Sequence, residues 1–126
     1  MTPSHHLLGP YSIGPAKVRI YAVPGLGGSF SGSNGEINIG FGGTFEEVME
    51  VALHELLEYA MHIYGARSVP TNMWSMGSDQ YLFHCDHRIF TECVHNASEI
   101  LTNLYPTMKK VHKGWAGWAD AGMIPV

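Results

Sequence analysis

Residues 44–65 read TFEEVMEVALHELLEYAMHIYG, and the fold turns on this stretch. Thr44 and Glu47 have the spacing of a capping box, in which the Thr hydroxyl and the Glu carboxylate each satisfy an amide of the first turn. Gly65 is a natural stop. Between them Met49, Leu53, Leu56, Leu57, Ala60 and Tyr64 recur at helical spacing, which predicts a helix of about five turns with one apolar arc.

Upstream of this helix, Lys17–Val23 (KVRIYAV) alternates polar with β-branched and aromatic residues and reads as a strand. Glu36–Phe41 (EINIGF) reads as a second strand with Ile37, Ile39 and Phe41 on one face. Pro24–Gly35 joins them as a glycine- and serine-rich loop ending in an Asn34-Gly35 turn signal. The loop lacks the Lys-Ser/Thr ending and the following helix of a phosphate cradle. The two strands suggest a hairpin, with a third strand left unplaced. Met1–Pro15, punctuated by Gly9-Pro10 and Gly14-Pro15, reads as an extended, irregular lead-in.

Downstream, Gly65–Ser78 is a connector. A second helix follows, with Ile89, Phe90, Cys93, Val94, Ala97, Ile100, Leu101 and Leu104 as its apolar stripe. Asp86 is its N-cap, unless the helix begins earlier at Asp79, and Pro106 terminates it. Lys109–Val126 brings Trp115 and Trp118 back over the core. The fold class is therefore α+β: a hairpin or small antiparallel sheet packed on the 44–64 helix, with the 86–104 helix covering its other side.

Composition narrows the function classes. A chain of 126 residues, 45% apolar and 14% charged, is globular and has room for one core, so residues 1–126 are read as one domain. Seven Lys and Arg against 11 Asp and Glu argue against nucleic acid or an anionic membrane as the main partner. No apolar stretch is long enough to span a bilayer, and no basic region precedes an apolar run at the N-terminus, so a cytoplasmic location is expected. Cys85 and Cys93 are too few for a disulfide scaffold and read as small buried apolar residues. Histidine stands out, with eight in a chain otherwise poor in charge.

The helix carries the chemistry. Residues 54–62 read HELLEYAMH, and His54 and Glu58, four apart, project from one face and can hold one ion between them. At about 100° per residue, Glu55 turns away from His54 and from the apolar arc. A His-Glu pair wedged among large apolar residues needs partners, whereas Glu55, Glu58 and His62 on a solvated face would need none. Both readings stand on the motif alone. A third ligand must come from elsewhere, and the YLFHCDH segment offers candidates. His87 is first, since it falls on or beside the apolar stripe of the second helix and so faces the core. His84 or Asp86 comes next, and Glu92, further along the helix, is the weakest. Asp86 doubles as N-cap or as an acceptor for a ligand imidazole. A structural zinc set of Cys85, His87, Cys93 and His95 is a rival, crowded on one helix and lacking a Cys-x-x-Cys pair.

Strand, glycine-rich turn, HELLEYAMHIYG helix and a second helix entered through DHRIFTECVHNASEIL together resemble a minimal zincin-type metallopeptidase. More narrowly, the chain is similar to small phage-encoded proteins with a His-Glu-x-x-Glu helix followed by a helix that begins near an Asp-His. The resemblance covers about Glu36 to Leu104 and departs from the usual H-E-x-x-H at Glu58. It implies Zn²⁺ on His54, Glu58 and His87, with Glu55 as general base toward a metal-bound water, in a peptidase or amidase. It also implies a peptide or protein substrate along the 37–41 strand and a host-cytoplasm location. Tyr81, His84 and His95 are candidate oxyanion donors. The alternative is a non-catalytic phage accessory or binding protein, in which His62 or His84 closes a structural metal site.

Overall fold

The computed structural model describes residues 5–65, 67–68, 82–83 and 86–120, with side chains for 5–65 and 86–115. The element order is β1 (His6–Ile13), β2 (Ala16–Val23), β3 (Gly28–Ser31), β4 (Glu36–Gly40), α1 (Phe45–Ile63), β5 (Arg67–Ser68), β6 (Leu82–Phe83) and α2 (His87–Asp120). This is the α+β class that the periodicities predict, with both principal helices in place.

The sheet differs from the expected antiparallel hairpin. Its order is β1-β2-β4-β3. The strands 16–23 and 36–40 pair in parallel, from Arg19 opposite Glu36 to Val23 opposite Gly40. A parallel pair needs a crossover of about a dozen residues, and the Pro24–Gly35 loop supplies it. That loop is not wholly irregular: Gly28–Ser31 pairs antiparallel on the far edge of β4. The lead-in also contains a strand, because His6–Ile13 pairs antiparallel with β2, with a register shift between Leu7 and Gly9. Pro10 is tolerated there since β1 is an outer strand. The sheet is mixed, with β4 interior.

One face of the sheet is apolar and covered. Leu8, Ile13, Val18, Ile20, Ala22, Ile37 and Ile39 are all buried. On the other face Lys17 and Arg19 are exposed, and the Arg19 guanidinium meets the Glu36 carboxylate at 2.8 Å. The helix α1 touches β3 and β4, while α2 touches β1 and packs along α1. The second helix thus lies beside the first on the same sheet face.

Thr44 caps α1 as its sequence dictates. The Glu47 amide donates to the Thr44 hydroxyl at 3.2 Å, and the Thr44 amide donates to the Glu47 carboxylate at 3.0 Å. These bonds hold the Glu47 carboxyl below its ordinary pKa, the backbone amide contributing most. The buried arc is rotated from the expected one: Val48, Ala52, Glu55, Leu56, Tyr59, Ala60 and Met61 are inside. Leu53 is 47% exposed. Close packing on a sheet selects small residues such as Ala52 and Val48, which a search for the largest apolar side chains passes over.

Asp86 is the N-cap of α2, its carboxylate accepting from the Ile89 amide at 2.9 Å. The predicted stop at Pro106 does not occur, and the helix continues to Asp120. Cys93, Ala97, Ile100, Leu104, Met108, Val111 and Trp115 form one buried stripe straight through the proline. Proline costs the bond to the Thr102 carbonyl, but both residues are exposed and water can take that carbonyl. Burial of Met108, Val111 and Trp115 outweighs the loss. Phe90 and Val94, expected in the stripe, are 45% and 42% exposed. Trp118 and Cys85 lie outside the described side chains. No described helix is long and apolar enough to cross a membrane.

Leu56 is fully buried, so Leu56→Ala should lower unfolding free energy by about 2–5 kcal/mol in a urea titration. The capping box gives a pH signature. Because the Glu47 carboxyl is depressed in the fold, its stabilising contribution is present above the ordinary carboxylate pKa and disappears as pH falls through the lower folded value. Glu47→Gln should therefore lower the melting temperature at pH 7 and converge on the parent near pH 3.

Candidate functional site

Two α1 positions predicted to act together do meet. His54 Nε2 lies 2.9 Å from Glu58 Oε2, a pairing that one helical turn of separation permits. The imidazole is 67% exposed and the carboxylate side chain 15% exposed. A contact this open contributes little to stability by itself.

Glu55 is placed otherwise than its helical angle suggested. It is 7% exposed and is the one buried charged residue among those described. The edge strand explains the difference: β3 runs alongside α1 in the same direction. At its start, Gly28 packs where a Cβ would come within 2.8 Å of Val51 Cγ1 and 2.9 Å of Glu55 Cγ. Further on, the Phe30 ring meets Tyr59 with centroids 5.3 Å apart and His62 at 5.8 Å. At Gly32, a Cβ would strike the His62 imidazole. Burial in this cluster raises the Tyr59 phenol pKa above its ordinary value.

Between β3 and α1 lies a cleft of about 310 Å³ lined by Gly27, Gly28, Glu50, Val51, His54 and Glu55. His54 also reaches a second groove of about 320 Å³ with Leu57, Glu58 and Met61. The histidine therefore stands between a cleft that contains Glu55 and a groove that contains its partner Glu58. The strand expected along the cleft, residues 37–41, is not there. Its main chain is paired on both sides, with β2 and with β3, so it cannot add an extended peptide. The strand beside the cleft is β3.

His87 is exposed on the first turn of α2 and lines a separate groove of about 330 Å³ with Phe90, Thr91, Val94, His95 and Ser98. The expectation that it faces the core is not met. Asp86 is likewise exposed, and its carboxylate is engaged in capping. Glu92 is exposed, and His95 pairs with Glu99 at 3.3 Å. Among the described residues no three His, Cys, Asp or Glu side chains form a group that could hold a metal ion. Two donors of the expected set converge, and His87 is not placed with them. His84, Cys85 and Tyr81 lie outside the described residues. Cys93 is fully buried.

The sequence pattern does not mark Glu50, Gly27 and Gly28 as site residues. Glu50 carries a weak signal, since it sits one turn before His54 on the same helical row. The two glycines carry none, because only the β3 pairing brings them against the helix. Comparison with protein-family models, with curated proteins and with solved structures finds no match to this chain.

The packing predicts a sharp contrast within the glycine loop. Gly28→Ala forces a methyl into Val51, Glu55 and the Asn38 carbonyl, and should destabilise by about 1–3 kcal/mol. A Cβ at Gly27 meets nothing within 4 Å, though its φ of +75° disfavours a side chain. Gly27→Asn, which tolerates that conformation, should unfold within about 1 kcal/mol of the parent in the same urea titration.

Proposed function

We propose that this chain is a zinc-dependent hydrolase, a peptidase or amidase, working in the cleft between β3 and the middle of α1. The observation that carries the reading is Glu55. A buried ionisable group at a cleft marks a functional candidate. Here the group lies next in sequence to an imidazole that lines the same cleft.

His54 and Glu58 are zinc-type donors, an imidazole nitrogen and a carboxylate oxygen close enough for one ion to take both in place of their hydrogen bond. A catalytic zinc needs a third protein donor. Asp86 is engaged at the α2 N-cap and His87 lines a separate groove, so two of the donors come together here, and the proposal keeps His87 as the third donor expected from the sequence. Zinc, when bound, supplies a Lewis acid that acidifies water and polarises a carbonyl. Glu55 takes the proton of the attacking water and delivers it to the leaving nitrogen. The C–N bond breaks, and the water oxygen remains on the acyl carbon. A peptide substrate would enter beside Gly27 and Gly28.

One observation favours a second reading, a non-catalytic accessory or binding protein. The His54 imidazole is largely exposed, as in an ordinary surface pair on a helix. Zinc titration followed by calorimetry tests the metal, and hydrolysis separates the two readings. The proposal expects one ion per chain, with affinity falling at least about 10-fold in His54→Ala, Glu58→Ala and His87→Ala. Full zinc retention in the first two variants would overturn it. Glu55→Gln should bind zinc like the parent, yet hydrolyse a peptide library about 10²–10⁴-fold more slowly. Unchanged hydrolysis removes Glu55 from the reaction, and the absence of hydrolysis in the parent favours the binding protein.

A further inference from the structure

The second helix carries two apolar rows. One, from Cys93 to Trp115, is buried in the core. The other, Phe90, Val94, Leu101 and Tyr105, runs beside it at helical spacing. Leu101 and Tyr105 meet Met49 and Leu53 of α1 in a groove of about 370 Å³. Phe90 and Val94 line the groove of His87, and Ser98 belongs to both grooves. The two thus form one trough along the helix pair, in which Leu53, Phe90, Val94 and Tyr105 are each between 42% and 47% exposed. Single exposed apolar residues are ordinary, whereas a contiguous apolar row rimmed by polar residues marks an interaction surface.

The charges beside the trough say what covers it. The helix α1 has five glutamates and neither Lys nor Arg, whereas residues 101–115 of α2 hold Lys109, Lys110 and Lys113 and no acidic residue. The start of α1 lies level with that basic stretch, since the Phe45 ring meets Tyr105 at 5.7 Å and His112 at 5.4 Å. Glu46 and Glu50 stand about one turn before Met49 and Leu53, and Lys109 and Lys113 follow Tyr105 by one and two turns. All four charges are exposed, and among the described residues no ion pair engages them. A face that is acidic on one helix and basic at the same level on the other is complementary to itself. A two-fold axis along the helices sets α1 of one copy over α2 of the other, so that each acidic edge meets a basic one.

We infer that the α1–α2 face is the interface of a homodimer. Tyr105 of one copy packs on Leu53 of the other, and Glu46 and Glu50 of each face Lys109 and Lys113 of the other. The inference does not depend on the hydrolase reading. Sedimentation equilibrium of the full chain tests it, with far-UV dichroism showing that each variant is folded. The parent should be dimeric at about 100 µM and dissociate on dilution. Two charge reversals, Glu46→Lys with Glu50→Lys and Lys109→Glu with Lys113→Glu, should each raise the dimer dissociation constant at least about 10-fold, because like charges then oppose each other. An equimolar mixture of the two folded variants restores every acidic-to-basic contact and should dimerise like the parent. Tyr105→Ser, which removes apolar contact and no charge, should also weaken the parent dimer. A parent that is monomeric at about 100 µM overturns the inference. So does a dimer that both reversals leave intact, or a mixture of the reversed variants that stays monomeric.

Discussion

The close approach of β3 and β4 to α1 is the contact on which the molecule depends. A helix can seat this near a sheet only where side chains are short, and Ala52 and Gly28 occupy those positions. The same approach buries Ile37, Ile39 and Leu56 and brings the edge strand level with the middle of the helix. It also encloses Glu55. The carboxylate is thus inside as a consequence of the packing that stabilises the core, and the cleft beside it is what remains where a glycine backbone faces the helix instead of a side chain.

Glycine serves two different purposes in this region. At Gly28 it removes bulk, permitting contact with Val51 and Glu55. At Gly25 and Gly27 it supplies left-handed turns that fold the crossover onto the end of β4. The crossover can therefore be short, pass over the strand end and still return as an edge strand. The parallel pairing of β2 and β4 follows from that path.

The second helix illustrates how tertiary packing overrides a local signal. Its buried stripe keeps a spacing of three and four residues from Cys93 to Trp115, and Pro106 sits on the exposed side. The His112 imidazole, 2.8 Å from the Gly43 carbonyl, ties this helix to the loop that leads into α1. Its ring also packs near Phe41 and Phe45. These contacts anchor the loop on which the Thr44 cap depends.

The sequence by itself determined the elements whose signals are local. The Thr44–Glu47 box, the Gly65 stop, the Asp86 cap and the alternation in Lys17–Val23 each concern neighbours along the chain. The His54–Glu58 pair belongs to the same class, because four residues on a helix always lie on one face. What only the tertiary structure decided depends on partners distant in sequence. Whether β2 and β4 pair in parallel, whether α2 survives Pro106, and which flank of α1 is inside are settled by how much apolar surface each arrangement buries. Glu55 is the sharpest instance. Its own helix turns it away from the arc of large apolar residues, and only the glycine backbone of β3, from a loop with no helical or strand periodicity, turns that flank into the interior.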